Sequence, residues 1–423
     1  MTARLRCASC QWSAPSSSPR VECACGGLLE VVHALEVSGR ALRRRFDARR
    51  GSRAPGEGSG VWRFQELVLP DRVRLVSYPE GNTLLLRRPA LARYTGIHDL
   101  ALKHEGENPT GSFKDRGMTV AVTQALRTGS RAVACASTGN TSASMAAYAA
   151  QAGLRALVFV PAGKIASGKL AQALAYGAMT LLVRGDFDAC LVLARRAARE
   201  LDLTLLNSVN PWRLEGQKTI MLEMLQQRGW DPPDWVVVPA GNLGNTSAFG
   251  KALAEAKALG LISRVPRIAA VQAAGANPFF RSYRGGFKRR YRVKAQTVAT
   301  AIRIGDPASF DRAVEAIRNT RGVVTAVSDA EILAAKAAVD SVGVGCEPAS
   351  AAAVAGARRL RREGVIRSGD SVVAILTGHL LKDPGALVTY HQETEPPPPR
   401  ANRPVEIEPT VDEVRRVLGE TAQ

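Results

Sequence analysis

The sequence predicts an α/β protein with two open parallel-sheet domains, preceded by a small cysteine-rich segment. Beyond about residue 60, short β-branched apolar runs alternate with longer stretches rich in alanine and leucine. Strands that alternate with helices at this spacing favour parallel sheets covered by helices on both faces. The strands are more numerous than one core holds comfortably, so two such domains are expected within the 423 residues.

Predicted strands and helices follow one another along the chain. The strand candidates are apolar runs bounded by turn-forming residues, at 131–137, 155–161, 179–184, 203–208, 235–240, 267–273, 322–328 and 371–377. Helix candidates lie between them, at 140–151, 168–176, 188–201, 211–228, 246–259 and 348–363. Another short helix, at 411–418, is expected on the surface after four successive prolines that cannot continue a helix.

These elements predict five segments. A cysteine-rich, zinc-ribbon-like segment covers residues 1–35, and a linker covers 36–60, where residues 52–60 are rich in glycine and serine. A large α/β domain is expected from 61–119 and 218–392, with a smaller α/β domain, 120–217, inserted into it. A proline-rich tail covers residues 393–423.

Composition argues against an integral membrane protein. Hydrophobic residues make up 46% of the chain and charged residues 22%, which is ordinary for a globular protein. No apolar run reaches the roughly 18–20 residues that cross a bilayer, and the N-terminus has no apolar stretch of signal-peptide length. We therefore expect a cytoplasmic protein, whose seven cysteines are thiols or metal ligands.

The net charge of +19 raises the question of a nucleic-acid partner. Two runs carry most of it: residues 40–53 have seven arginines and one aspartate, and residues 281–294 have seven cations and no acid. Local runs of this kind are typical of solvated faces, although attraction of a small anionic substrate is open. Neither run carries an RNA- or DNA-recognition pattern, so nucleic acid is not the expected partner.

The sharpest local motif surrounds Lys114. Asn108-Pro109 and Thr110-Gly111 punctuate a turn, after which residues 118–126 have a helical pattern. A lysine where a turn enters a helix feels an unfavourable helix dipole, which lowers its pKa. An amine that loses its proton easily is what covalent chemistry with a carbonyl cofactor requires. Taken alone, the motif is more typical of an exposed lysine.

Three loops follow strongly apolar strands and are expected to line one cleft, because ligands bind at the carboxyl ends of parallel strands. Glycines in such a loop let backbone N–H groups close on a phosphate, and the helix N-terminus adds partial positive charge. Strand-to-helix turns often contain glycine, so each loop alone is weak support. The three loops are 137–141, 241–245 and 377–379.

Taken together and in this order, the motifs resemble the fold-type II pyridoxal-phosphate enzymes of the tryptophan synthase β-like class, and within them the threonine synthases. The shared motifs are 107–117, 137–142, 241–245 and 376–379, and those more particular to threonine synthases are 207–213 and 297–305. The resemblance extends from about Trp62 to His391, which is most of the chain.

The resemblance implies a role for each motif. Lys114 is expected to bind pyridoxal phosphate covalently and to act as the general base. The other expected cofactor contacts are Asn140, Gly241, Asn242, Leu243, Gly244, Asn245 and Thr377. The expected substrate is the anionic amino-acid phosphate O-phospho-L-homoserine, converted with water to L-threonine and phosphate by a homodimer. The residues expected to contact it are Ser137, Thr138, Thr141, Asn207, Ser208 and Arg213.

The N-terminal cysteines predict a zinc site as one alternative. Cys7 and Cys10 are separated by two residues, as in zinc knuckles, whereas Cys23 and Cys25 are separated by one. Four thiolates in two close pairs fit a tetrahedral zinc, and a segment this short needs such a staple. The irregular second spacing leaves open a degraded site without metal.

Two other functions remain open on the sequence. A related lyase, such as a threonine or serine dehydratase or a cysteate synthase acting on phosphoserine, shares the cofactor motifs. The 207–213 and 297–305 stretches argue against a dehydratase, because a dehydratase has no substrate phosphate to bind. A zinc-ribbon nucleic-acid-binding protein explains the charge but not Lys114 or the glycine-asparagine loop.

Overall fold

The computed structural model describes residues 2–54, 56–71, 73–163 and 167–419, and it contains three sheets. The first is a small antiparallel sheet in the cysteine-rich segment, in the order β2-β1-β3. Its strands pair in register, with Cys7 opposite Leu29 and Ala3 opposite His33. They are β1 (Ala3–Cys7), β2 (Ser13–Pro15) and β3 (Leu29–His33).

The largest sheet has six strands in the order β12-β11-β10-β13-β5-β4. Neighbouring strands are parallel except for the edge strand β4, which is antiparallel to β5. Every residue of β10 is buried, as expected for a strand covered on both faces. The strands are β4 (Leu85–Leu86), β5 (Asp99–His104), β10 (Trp235–Pro239), β11 (Arg267–Ala273), β12 (Val323–Val327) and β13 (Ser371–Leu376).

The third sheet has four parallel strands in the order β8-β7-β6-β9. Its strands lie in the sequence between β5 and β10 of the six-stranded sheet, as expected for a domain inserted into another. The boundaries of the two domains at residues 119 and 217 stay a prediction. The strands are β6 (Ala132–Ala136), β7 (Arg155–Pro161), β8 (Met179–Val183) and β9 (Thr204–Leu205).

Sixteen helices surround these sheets in the described part of the chain, together with short 3-10 and π turns. Helix α4 packs on α5 and α8, and α13 packs on α14. No described helix is long and apolar enough to span a membrane. The helices are α1 (Gly39–Arg49), α2 (Gln65–Val68), α3 (Pro89–Thr95), α4 (Lys114–Arg127), α5 (Asn140–Ala152), α6 (Ser167–Ala175), α7 (Phe187–Glu200), α8 (Pro211–Gln217), α9 (Thr219–Gln227), α10 (Gly244–Ala258), α11 (Pro278–Arg284), α12 (Phe310–Asn319), α13 (Asp329–Asp340), α14 (Pro348–Arg362), α15 (Pro384–Val388) and α16 (Val411–Leu418).

The structure confirms the eight predicted strands and contains several elements that were not predicted. The strands β4 and β5 were not predicted, and the helix predicted over 211–228 is divided into α8 and α9. The stretch 36–60, predicted as a linker, contains helix α1, whose Leu42 and Phe46 are fully buried. Phe46 packs edge-on against Phe64, with ring centroids 5.1 Å apart, so this stretch is part of the core and not a spacer.

Candidate active site

A large cleft lies at the carboxyl ends of the parallel strands, between the six-stranded and four-stranded sheets. Its volume is about 1180 Å³, enough for a cofactor and a small substrate together. The structure brings all the predicted catalytic, cofactor and substrate residues to the wall of this one cleft: Lys114, Ser137, Thr138, Asn140, Thr141, Asn207, Ser208, Arg213, Gly241, Asn242, Leu243, Gly244, Asn245 and Thr377.

Lys114 is the first residue of helix α4 and lies partly exposed in the cleft. Its Nζ is 4.2 Å from the centroid of the Phe113 ring. Burial, and secondly the positive charge of Arg213, lower the pKa of Lys114 to about 7. The sequence predicted a lowered pKa from the helix dipole, whereas the structure assigns the main cause to desolvation. The neutral amine is therefore available near neutral pH.

The neighbouring Asp115 fixes the start of helix α4. Its carboxylate accepts hydrogen bonds from the backbone N–H and the hydroxyl of Thr110, at 2.7 and 2.6 Å, and from the Ser144 hydroxyl at 2.5 Å. Burial raises the pKa of Asp115 to about 6. The buried carboxylate ties the turn before Lys114 to helix α5, which holds the lysine in place relative to the small sheet.

The glycine-asparagine loop joins β10 to the N-terminus of the 15-residue helix α10. Leu243 has a φ of 63°, which turns the chain into the helix. A Cβ on Gly241 would lie 2.9 Å from the Cα of Ile302, so glycine is required where the loop crosses the 297–305 stretch. The first N–H groups of a helix have no partner within it, and here they border the cleft. The loop can therefore hold a phosphate.

Two side-chain amides support this loop. Asn242 Oδ1 accepts a hydrogen bond from the backbone N–H of Ala308 at 2.8 Å. Asn245 Oδ1 accepts one from Gln217 Nε2 at 2.7 Å, which ties the loop to helix α8. The shape of the anion-binding loop is thus fixed from both sides before any ligand binds.

The hydroxyl-rich loop 137–141 follows β6 and leads into helix α5. The Asn207 side chain pairs with both backbone groups of Ala136, donating to its carbonyl and accepting from its N–H, each at 3.0 Å. Its amide is already engaged in positioning this loop, so the predicted contact of Asn207 with the substrate stays a prediction. Ser137, Thr138 and Thr141 remain partly exposed to the cleft.

A buried carboxyl group, Glu347, lies between two predicted cofactor contacts. Asn140 Nδ2 donates to Glu347 Oε2 at 3.1 Å, and the Thr377 hydroxyl lies 3.3 Å from Oε1. Thr377 also lies 3.0 Å from the Ser350 hydroxyl. Burial raises the pKa of Glu347. Sequence reasoning missed this residue, since Glu347-Pro348 reads as an ordinary helix start.

Arg213 is the most unusual group in the cleft, because it is a buried cation with no acidic partner among the described residues. It is 1% exposed, and its Nη1 donates to the carbonyl of Leu206 at 3.2 Å. Its Nε and Nη2 are buried without a protein partner in the described structure. Burial lowers its pKa to about 10, so it is still charged at neutral pH. Buried donors of this kind are satisfied by an anion.

Two further residues of the cleft were not predicted. Lys382 donates to the carbonyl of Thr110 at 2.9 Å and contacts Gln172 on helix α6, which links the turn after β13 to the four-stranded sheet's side of the cleft. Gln217 supports the phosphate loop, as described above. No local motif marks either residue, and each is identified by its contacts alone.

The four N-terminal cysteines form a compact group outside the cleft. Sγ–Sγ distances are 3.6 Å for Cys7 and Cys25, 3.7 Å for Cys10 and Cys23, and 3.6 Å for Cys25 and Cys10. All four sulfur atoms lie within 4.8 Å of one another. Four thiolates at a Zn–S distance of about 2.3 Å have tetrahedral edges of about 3.8 Å, so the arrangement fits one zinc ion. The remaining cysteines, Cys135, Cys190 and Cys346, are buried.

Comparisons with known proteins agree with this cleft. Residues 76–378 match the family described as pyridoxal-phosphate dependent enzyme. The chain is 43% identical to threonine synthase of Methanocaldococcus jannaschii, over 98% of this chain and 99% of the relative. It is 42% identical to chloroplastic threonine synthase 2 of Arabidopsis thaliana, over 93% of this chain and 80% of the relative.

Solved structures share the fold at lower sequence identity. Threonine synthase from Escherichia coli superposes with a TM-score of 0.67 at 20% identity, covering 98% of this chain and 99% of that one. Maize serine racemase superposes with a TM-score of 0.62 at 23% identity, covering 76% and 92%. These solved structures show that the chain has the fold-type II architecture. The relatives at 42–43% identity then indicate which family within that fold the chain belongs to. The chain belongs to the threonine synthase family of pyridoxal-phosphate-dependent enzymes.

Proposed function

We infer that the protein is a pyridoxal-phosphate-dependent lyase that converts O-phospho-L-homoserine and water to L-threonine and phosphate. The observation that carries this inference is the pair of anion sites in the cleft that Lys114 also lines. One is the N-terminus of helix α10, and the other is the buried, unpaired guanidinium of Arg213. A cofactor phosphate and a substrate phosphate together require two such sites.

The residues present fit pyridoxal phosphate. Lys114 would hold it covalently, the 241–245 loop would bind its phosphate, Asn140 would meet the ring hydroxyl and Thr377 the ring nitrogen. When bound, the cofactor withdraws electrons from the substrate's α-carbon. Glu347 adds a carboxyl group that accepts hydrogen bonds from Asn140 and Thr377, so the side chains expected to contact the ring are themselves positioned by a titratable group.

The chain's own part in the reaction is to bind anions and to move protons. Lys114, with a pKa of about 7, is neutral often enough to remove the α-proton and is able to return it. Arg213 would bind the phosphate of the substrate with charge-assisted hydrogen bonds, and Ser208 would add a hydroxyl. Ser137, Thr138 and Thr141 would bind the carboxylate. In the overall reaction the Cγ–O bond to phosphate breaks and a hydroxyl from water adds at Cβ.

The test is a comparison of three substrates with purified enzyme. Phosphate release from O-phospho-L-homoserine, with L-threonine as the organic product, is the expected result. Faster release from O-phospho-L-serine would instead indicate a cysteate synthase. Ammonia release from threonine without any reaction of the phosphorylated compounds would indicate a dehydratase and overturn the inference. The buried, unpaired guanidinium of Arg213 argues against a dehydratase, because a dehydratase has no substrate phosphate to bind.

We also propose that Cys7, Cys10, Cys23 and Cys25 bind one structural zinc ion. The backbone N–H groups of Ser9 and Gly27 donate to the sulfur atoms of Cys7 and Cys25 at 3.3 and 3.4 Å, as N–H groups around metal-bound thiolates do. Metal analysis of the purified chain should give one zinc per protomer, and Cys10→Ser should abolish it. A cytoplasmic location and a homodimer remain predictions.

A further inference from the structure

The cysteine-rich sheet packs on the helix that carries Arg213. Strand β3 contacts helix α8, and Arg312 of helix α12 donates to the carbonyl of Leu29 at 2.6 Å. Helix α8 contributes two groups to the active-site cleft, Arg213 and the Gln217 amide that supports the phosphate loop. The placement of these groups therefore depends on what holds α8 from its other sides.

A buried charge cluster joins β3 to α8. His33 Nε2 lies 2.7 Å from Glu215 Oε2, and both side chains are 1% exposed. Lys218 Nζ lies 2.5 Å from the same carboxylate and 2.7 Å from Glu255, while Lys251 contacts Glu215 and the carbonyl of Val31. The two lysines supply the positive charge that a metal ion would otherwise bring, so this group is not a second metal site. We call the group of His33, Glu215, Lys218, Lys251 and Glu255 the ionic joint.

His33 enters this joint as a neutral donor. Burial, and secondly the charge of Lys218, lower the pKa of His33, so the imidazole is uncharged at neutral pH and its Nε2–H donates to Glu215. Its Nδ1 is buried without a partner in the described structure. The contact places a residue of the cysteine-rich sheet two positions along helix α8 from Arg213.

Arg213 itself has no ion pair to fix its position. The only described hydrogen bond of its guanidinium is to the Leu206 carbonyl, so the position of the guanidinium follows that of helix α8. Helix α8 also packs closely on α4, where a Cβ on Gly216 would lie 1.7 Å from the carbonyl oxygen of Arg116. A helix packed this closely shifts as a unit when one side loosens.

We propose that the sheet of strands β1, β2 and β3 is a zinc-dependent brace, in which His33 positions helix α8 and thereby Arg213 for the anionic end of the substrate. The sheet has strands of five, three and five residues, too short to be stable without a staple. Its metal holds the strand that carries His33, and loss of the metal would free Glu215 from one of its three partners. The proposal rests on the proposed zinc site and on the proposed role of Arg213.

The test compares His33→Ala, His33→Gln and Cys10→Ser in the full-length holoenzyme, with His98→Ala at an exposed histidine and Cys190→Ala at a core cysteine as controls. His33→Ala should raise the KM for O-phospho-L-homoserine by roughly tenfold, the effect of one lost buried hydrogen bond. Its kcat and zinc content should stay close to those of the unmodified enzyme. The inhibition constant for inorganic phosphate should rise by the same factor.

His33→Gln keeps a donor toward Glu215 and should recover most of the lost affinity. Cys10→Ser should lose zinc and raise KM at least as much, and adding His33→Ala to it should change little further. The brace is refuted if zinc-free Cys10→Ser keeps an unchanged KM, or if the glutamine variant is no better than the alanine variant. Absence of phosphate release by the unmodified enzyme would refute the proposed function instead, and phosphate binding would still test the brace.

Discussion

Two buried arginines near the start of helix α4 have opposite surroundings. Arg116 is fully buried and pairs with Glu105 at 2.6 Å and Glu223 at 2.8 Å, and these two acids raise its pKa despite the cost of burial. Arg213 is equally buried, has no carboxylate partner in the described structure, and has a lowered pKa. One cation is satisfied by the protein and the other is not.

The difference distinguishes a cation that stabilises the fold from a cation that is left to bind a ligand. Arg116 belongs to a buried charge network that joins strand β5 to helices α4 and α9. The other members of the network are Arg63, Lys103, Glu105 and Glu223. Such a network stabilises only as a complete set, because a buried charge that loses its partner is costly. Arg213 carries that cost permanently, which is the expected state of a group whose partner is a ligand.

Replacing Arg213 should have the largest effect on activity. Arg213→Met removes the cation that binds the substrate phosphate, so kcat/KM should fall by roughly 100-fold or more, as expected for a desolvated ion pair. Arg213→Lys keeps the charge but not the planar guanidinium, so its kcat/KM should lie between those of the unmodified enzyme and Arg213→Met. Steady-state phosphate release measures the effect, and a methionine variant with normal kcat/KM would place the substrate phosphate elsewhere.

Replacing Arg116 should have the largest effect on stability. Arg116→Met leaves Glu105 and Glu223 short of a partner in the core, and the free energy of unfolding should fall by about 3–5 kcal/mol. In Arg213→Met the free energy of unfolding should be unchanged or higher, since no ion pair is lost. Urea denaturation of the two variants side by side tests the contrast, which fails if both lose the same stability.

Glu347→Gln extends the comparison to a buried acid of the cleft. Glu347 accepts hydrogen bonds from Asn140 and Thr377, and no ion pair is described for it. Because burial raises the pKa of Glu347, this carboxyl group keeps its proton to a higher pH than an exposed glutamate does, whereas the amide of the variant cannot exchange a proton. We expect kcat to fall by roughly tenfold, within the range of one general acid–base contribution, and the pH dependence of the cofactor absorption to shift. An unchanged absorption titration would show that Glu347 only fills space.

The smallest expected effect concerns the pH dependence of cofactor attachment. A lysine with a lowered pKa becomes neutral as pH rises through that value, so Lys114 is charged below about 7 and neutral above it. Reconstitution of apoenzyme with pyridoxal phosphate should therefore speed up between about pH 6 and 8 and then level off. A rate that continues to rise toward about pH 10 would indicate an ordinary lysine.

Most of the fold was predictable from local patterns, and the exceptions share one cause. Strand β5 was missed because Lys103 and His104 interrupt its apolar run. Lys103 is buried by its 2.5 Å contact with Glu223, a residue 120 positions along the chain. The helix predicted over 211–228 is divided near Gly216, where α8 meets the backbone of Arg116. Both depend on contacts distant in sequence.

The same distinction applies to the candidate site. Lys114 and the 241–245 loop were identified because each lies in a short local motif, and the motifs together resemble those of the fold-type II pyridoxal-phosphate enzymes. Glu347 was missed because its position beside Asn140 and Thr377 depends on the packing of α14 against β13. The brace formed by His33 was also unpredictable, since its partner Glu215 lies 182 residues away.

Borohydride reduction followed by peptide mapping tests the central claim most directly. The claim is that Lys114, which lines the same cleft as both anion sites, carries the cofactor. Reduction should fix the cofactor irreversibly on the peptide that contains Lys114, and Lys114→Ala should lose both the label and the near-violet absorption. Label on another cleft lysine, such as Lys382, or absence of label from the unmodified enzyme would contradict the account.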